Sequence, residues 1–229
     1  MDSGLSTQHS ALRGLYVITD RGLSRGRTHE EVVAAALQGG ASIVQLRDKD
    51  ASRDELLRTG RELARMCRDA GALFIVNDDP GLAAEVGAAG VHVGPTDMPP
   101  ERAREIVGPD AIVGWSIKAS LDTARTAERL GVSYVAVGSI YPTSTKAGAS
   151  PVGPETIGRV KAAVGLPVAA IGGINASNVG AVAEAGADMV CVISAAVAAE
   201  NVTLACSELL RIMNVRWERA STHMGEARG

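Results

Sequence analysis

One junction recurs seven times along this chain: an amphipathic stretch closes on glycine, and a β-rich run follows within a few residues. The junctions fall at 38–45, 69–76, 87–93, 107–113, 130–137, 164–171 and 184–191. A glycine just past a helix adopts the left-handed backbone that other residues avoid, which closes the helix and lets a strand begin at once. Seven junctions add seven strands to an opening one at 14–19, eight in all. The intervening stretches read as helices at 30–38, 53–70, 81–86, 99–107, 121–130, 155–164, 178–185 and 203–213. In the second of these, Leu56, Leu57, Leu63, Ala64, Cys67 and Ala70 form one apolar stripe, with Arg and Glu on the remaining surface.

Strict alternation of strand and helix implies a parallel sheet. Eight units with short apolar strands imply closure into a (β/α)8 TIM barrel. An open doubly wound sheet is the alternative, but it usually has fewer units and a G-x-G-x-x-G loop after its first strand; residues 20–26 lack that spacing. The 229 residues suit a single barrel domain, since such barrels take about 200–250 residues. The core is expected at about 14–213, with 1–12 and 214–229 as flexible tails. Aromatics make up only 3% against 46% hydrophobic residues, so Val, Ile, Leu and Ala are expected to fill the interior.

A net charge of −3 argues against a sequence-independent grip on nucleic acid, which needs a basic face. No apolar run reaches the roughly 18 residues that a membrane span requires, and residues 1–12 have neither the basic start nor the apolar stretch of a secretory signal. Cys67, Cys191 and Cys206 are odd in number and far apart, as expected of reduced thiols in a cytoplasmic protein. The expected partners are small molecules, and a homo-oligomer is compatible with the sequence.

In a barrel the working residues sit where strands end and βα loops begin. After the second strand, Gln45, Arg47 and, if the strand persists, Lys49 share one face. Two cations at the mouth call for an anion, because an unpaired charge is costly to bury; a solvated cluster at a strand end is the plainer alternative. The third strand ends in Asn77-Asp78-Asp79 and the fourth leads to Asp97. Carboxylates on adjacent strands, together with substrate phosphates, are what Mg²⁺ prefers. Helix capping is the competing role, and it suits Asp79, just before Pro80. Ser116 closes the fifth strand and would serve equally as a cap or a ligand contact. The sixth strand opens into a loop carrying Thr143, Ser144, Thr145 and Lys146, able to donate to phosphate oxygens or simply to form a polar loop. The seventh ends at Ile171-Gly172-Gly173 and the eighth at Ile193-Ser194, a pair of loops where barrels often bind phosphate through backbone N–H groups. No residue reads as an activated nucleophile, and no His or Glu reads as a proton shuttle. Cations without acid–base groups suit departure of a pyrophosphate.

Taken together, Gln45-Leu46-Arg47-Asp48-Lys49, Asn77-Asp78-Asp79, His92 to Asp97, Gly114-Trp115-Ser116, Pro142 to Lys146, Ala170 to Ile174 and Val192-Ile193-Ser194 resemble, in order, the motifs of the thiamine phosphate synthase family. The resemblance covers about 14–213. It implies a transferase of thiamine biosynthesis that joins hydroxymethylpyrimidine diphosphate to a thiazole phosphate, releasing pyrophosphate with Mg²⁺ as cofactor. It further implies that Gln45, Arg47, Lys49, Asn77, Ser116 and Lys146 hold the pyrimidine diphosphate, with Arg47, Lys49, Ser116 and Lys146 serving catalysis. Asp78 and Asp97 are then the metal ligands, and Thr143, Thr145, Gly173, Ile193 and Ser194 the thiazole phosphate pocket. In that family pyrophosphate leaves first and the thiazole nitrogen captures the resulting pyrimidine-methyl cation.

The chain departs from the family pattern at Pro95, where Gln is usual, at Trp115, which is bulkier than the common aliphatic, and at Ile117-Lys118, where small residues and often His are usual. These departures put the pyrimidine side in question; Lys118 is expected to face solvent. Two rival readings remain: a thiazole tautomerase-like isomerase, which needs neither metal nor pyrophosphate clamp, and a non-catalytic barrel that binds a thiamine precursor.

Overall fold

The computed structural model describes residues 12–143 and 150–226. Eight strands follow one another: β1 (Gly14–Ile18), β2 (Ile43–Leu46), β3 (Leu73–Asn77), β4 (Gly90–Val93), β5 (Ile112–Lys118), β6 (Tyr134–Val137), β7 (Val168–Ile171) and β8 (Met189–Val192). All pair in parallel in sequence order, and β1 pairs with β8 as well as β2, so the sheet closes on itself. Outside it lie α1 (His29–Gln38), α2 (Arg53–Asp69), α3 (Pro80–Val86), α4 (Pro100–Val107), α5 (Leu121–Arg129), α6 (Glu155–Ala163), α7 (Val179–Glu184), a short α8 (Ser194–Val197) and α9 (Val202–Glu226). The eight-strand barrel is the architecture that the glycine junctions imply.

Local chemistry explains most element ends. Thr28 with Glu31, and Ser52 with Glu55, form reciprocal capping boxes that start α1 and α2. Gly87 closes α3 in the left-handed conformation at φ 68°. The junction at Gly165 works differently. There α6 stops on Val164 in an extended conformation, and the Gly165 N–H donates to Glu128 Oε1 at 2.7 Å.

Two expectations from the sequence need correction. The segment from Asn214, expected to fray, continues α9 as far as Glu226. Its first turn makes tertiary contacts: Trp217 Nε1 donates to the Ala187 carbonyl at 3.0 Å, the Arg13 guanidinium lies 4.6 Å from the Trp217 ring centre, and Arg216 pairs with Glu184. The second concerns the interior. It is mostly aliphatic, with Ile18, Ile43, Ile75, Ile112 and Met189, but two of the chain's three tyrosines, Tyr16 and Tyr134, stand inside it. Room for Tyr134 comes from Gly114, where a Cβ would fall less than 3 Å from the tyrosine ring. The remaining core packs helices on the outer face of the sheet. Cys67, Cys191 and Cys206 are buried and unpaired, and burial pushes the Cys67 and Cys206 thiols up to about 12.

Gly114→Ala therefore forces a methyl group against the Tyr134 ring. We expect it to destabilise the protein by about 1–3 kcal/mol, the usual cost of overpacking. Urea denaturation measures this, and Tyr134→Leu introduced into the same variant should recover part of the loss.

Candidate active site

Because every strand runs the same way around a closed ring, all eight C-terminal ends open on one rim. Gln45 lies in β2, Asn77 ends β3, His92 lies in β4 and Ser116 in β5, while Arg47, Asp78, Asp97, Thr143, Gly173 and Ser194 follow the ends of their strands. The sequence-derived site residues within the described chain thus share one end of the barrel. Ser144, Thr145 and Lys146 lie outside the described residues. A recess of about 620 Å³, lined by Arg13, Ser42, Asn214 and Trp217 among others, is at the opposite end.

Inside the barrel, below that rim, five side chains form one continuous hydrogen-bonded chain. Gln45 Nε2 donates to Tyr16 Oη at 2.6 Å. The Tyr16 and Tyr134 hydroxyls are 3.0 Å apart. Tyr134 Oη lies 2.9 Å from His92 Nδ1, and His92 Nε2 lies 2.9 Å from Ser116 Oγ. Gln45, Tyr16 and Tyr134 are all buried, so each polar atom needs a partner within the protein. Burial pushes the two phenols well above their ordinary range and takes His92 down to about 4, against the opposing pull of Asp97. The imidazole is therefore neutral near pH 7.

Charged groups ring the mouth. Asp78 adopts a left-handed backbone at φ 63°, a conformation that Asp tolerates better than most residues and that recurs at functional sites. Its carboxylate accepts from Asn77 Nδ2 at 2.6 Å and shares a hydrogen bond with Asp97. Burial, then the adjoining Asp97 carboxylate, raise Asp78 to about 6, while Asn77 and the charge of Lys49 pull it down. Asp97 in turn accepts from the Gly94 N–H at 2.8 Å. Two carboxylates this close favour either a shared proton or a cation between them. Among the described residues no group of three or more His, Cys, Asp or Glu side chains gathers as a metal cluster. A carboxylate pair fits Mg²⁺, which commonly takes one or two carboxylates and completes its shell with water and phosphate oxygens.

Arg47 already has a protein partner, Asp20, at 2.9 Å. Its charge is therefore met within the protein and does not by itself demand an anionic ligand, although a guanidinium with five N–H donors has more to offer than one such contact uses. The strand does not persist to Lys49: β2 ends at Leu46, and a loop presents an exposed Lys49. That loop is pinned by Asp48, whose carboxylate turns away to His29 Nε2 at 3.0 Å and accepts the Asp50 N–H at 3.2 Å. Asp79 takes the capping role, accepting from Leu82 N at 2.8 Å and pairing with Arg53 at 2.9 Å.

On the opposite side of the rim, a Cβ at Gly172 would collide with Ser139, and one at Gly173 with Tyr141 and Pro142. These glycines let the loop after β7 lie against the loop after β6, where Tyr141 N donates to the Gly172 carbonyl at 2.9 Å. Ile193 precedes α8 and Ser194 opens it.

Family departures at Trp115 and Ile117 face away from this site. Both pack into the outer core between sheet and helices, whereas Gly114 and Ser116 alternate inward. Lys118 and Pro95 are exposed. Sequence reasoning missed Tyr16, Tyr134 and the place of His92. The signals available were the alternation of His92 with Gly90 along β4 and the rarity of tyrosine in a chain so poor in aromatics.

A family model described as thiamine monophosphate synthase matches residues 15–196. The chain is 43% identical over 217 residues to a thiamine-phosphate synthase of Chloroflexus aurantiacus, covering 94% of this chain and 100% of that protein. It is 45% identical over 201 residues to one from Methanocella arvoryzae, covering 87% and 94%. The solved thiamine phosphate pyrophosphorylase of Pyrococcus furiosus superposes with a TM-score of 0.83 at 40% identity, over 92% of this chain and 98% of that one.

The buried, neutral state of His92 can be tested directly. In a pH titration followed by NMR of ¹⁵N-histidine-labelled protein, the His92 ring should remain neutral down to about pH 5 and titrate with a midpoint near 4. A midpoint above 6 would contradict the burial argument.

Proposed function

The chain belongs to the thiamine monophosphate synthase family, and from that premise we propose that it transfers the 4-amino-2-methylpyrimidin-5-ylmethyl group from its diphosphate to 4-methyl-5-(2-phosphooxyethyl)thiazole, giving thiamine phosphate and pyrophosphate. The observation that carries this reading is the meeting, at one rim, of the Asp78–Asp97 pair, the Arg47 guanidinium and the Gln45-to-Ser116 chain. An isomerase acting on a thiazole would have no use for that pair beside those cations.

In this reading Gln45, Asn77 and Ser116 orient the pyrimidine diphosphate, and Arg47, Lys49 and Lys146 take up the charge that grows on the departing pyrophosphate. Asp78 and Asp97 would hold Mg²⁺, which when bound would supply further neutralisation of the diphosphate charge. The Arg47–Asp20 pair holds the guanidinium in place before substrate arrives, which lowers the cost of ordering it on binding. Thr143, Thr145, Gly173, Ile193 and Ser194 hold the thiazole phosphate, where the opening amides of α8 lack carbonyl partners within the helix. Positioning of the thiazole nitrogen then decides capture of the carbon, and the absence of a charged base in the buried chain suits a reaction driven by leaving-group departure. A cytoplasmic site of action belongs to the same proposal. It is supported by three unpaired buried thiols and by the lack, among the described residues, of any helix long and apolar enough to cross a membrane.

A coupled assay with both substrates, with and without Mg²⁺, tests the reading. Product only with metal supports it; binding without turnover points to a sensor, and thiazole isomerisation to the other rival. Arg47→Ala should lower kcat/KM by about a hundredfold or more, because one preorganised charge at the leaving group is lost. Near-normal activity would remove Arg47 from that role. Asp78→Asn combined with Asp97→Asn should abolish activity and the response to Mg²⁺ together.

The raised Asp78 pKa sets a pH dependence. Below about 6 a proton occupies the carboxylate pair and competes with metal, so apparent Mg²⁺ affinity should fall as pH drops through that value and level off above it. Calorimetric titration of Mg²⁺ into the protein without pyrophosphate, at pH 5 and pH 7.5, measures this. Equal affinities would exclude the pair as the metal site.

A further inference from the structure

The chain from Gln45 to Ser116 passes through Tyr16, Tyr134 and His92, three residues to which the proposed reaction gives no direct role. Each link has room for a single proton. Each tyrosine hydroxyl carries one hydrogen, and a neutral imidazole carries one hydrogen on one of its two nitrogens. Once the first link has a direction, the others have no choice. With Gln45 Nε2 donating to Tyr16, the Tyr16 hydrogen goes to Tyr134 and the Tyr134 hydrogen to His92 Nδ1. His92 then carries its hydrogen on Nε2 and gives it to Ser116. Ser116 keeps its own hydrogen for the mouth, and Gln45 keeps its carbonyl oxygen.

Rotation of the Gln45 amide by 180° reverses every link. Tyr16 then donates to Gln45, Tyr134 to Tyr16, His92 Nδ1–H to Tyr134 and Ser116 to His92 Nε2. Gln45 now offers N–H and Ser116 only lone pairs. A mixed state would leave one link with two hydrogens or with none. In so buried a setting that costs roughly a factor of ten or more in population.

We propose that Tyr16, Tyr134 and His92 are positioning residues that couple the two ends of the site, so that the Gln45 amide orientation decides whether Ser116 has a hydrogen to offer the mouth. When Gln45 accepts, Ser116 donates. With the amide as the structure holds it, Gln45 Nε2 toward Tyr16, the site offers an acceptor at Gln45 and a donor at Ser116, the complement of a 4-aminopyrimidine whose amino group neighbours a ring nitrogen. The selectivity part rests on the proposed function; the coupling rests on the geometry of the four links with His92 neutral. Gly114 belongs to the device, because only its missing Cβ lets the Tyr134 ring reach the centre.

The His92 tautomer reports the coupling without substrate. In ¹⁵N-histidine-labelled protein, with the His92 signal assigned by its loss in His92→Gln, the native protein should show the Nε2–H form. Gln45→Glu puts a carboxylate, an acceptor only, at the head of the chain and should switch His92 to Nδ1–H. Retention of the Nε2–H form in Gln45→Glu overturns the coupling. Tyr134→Phe and Tyr16→Phe each cut the chain while keeping the ring, and they cover the case in which the buried carboxylate of Gln45→Glu prevents folding. For these, kcat/KM is compared between the 4-amino pyrimidine diphosphate and its 4-oxo analogue. The native enzyme should prefer the amino substrate by about a hundredfold or more, and each Phe variant should lose at least about tenfold of that preference. Full preference retained in both Phe variants overturns the selectivity role. If the native protein forms no thiamine phosphate, the proposed function fails, and the tautomer measurement still decides the coupling.

Discussion

Closure of the parallel sheet is the constraint on which the rest of the molecule depends. The pairing of β1 with β8 satisfies the backbone of what would otherwise be two open edges. It also fixes polarity: eight strands of one direction in a ring have one end where every strand stops and a βα loop begins. Residues as distant in sequence as Asp20, Asp78, Ser116 and Ser194 are gathered there by topology, before any side chain contributes an attraction.

Within the ring, space is the next limit. A small barrel is filled by side chains, and most of this one is aliphatic. Placing Tyr16, Tyr134 and His92 among those aliphatics would be costly if their polar atoms lacked partners. Each is satisfied by the next, from Gln45 to Ser116. The same burial that makes the chain obligatory keeps His92 neutral and the phenols protonated. Polar groups that cannot ionise can hold a ligand's orientation without adding charge to the interior.

Charge is kept to the rim, and there it is balanced in advance. Asp20 holds Arg47, and Asp48 with His29 holds the loop that carries Lys49. Arg47 and the loop of Lys49 are thus ordered by protein carboxylates, while Asp78 and Asp97 stand as an unbalanced pair. The flanks of the site are insulated from the family departures at Trp115 and Ile117, because strand alternation turns both toward the helices.

Much of this was written in the chain. The glycine junctions, the apolar stripe of α2 and the short β-rich runs each depend on neighbours a few residues apart, so they predicted eight units and the loops where Arg47, Asp78 and Asp97 stand. Helix α9 past Asn214 was not legible, because Trp217 there meets Ala187 before β8 and Arg13 before β1, contacts distant in sequence. Nor was the pairing of Arg47 with Asp20, or the chain through Tyr16, Tyr134 and His92, since each link joins different strands across the interior. Local sequence determined which segments are strands and which residues end them; only the closed ring decided which of those residues touch, because distance across a barrel is set by its circumference and not by position along the chain.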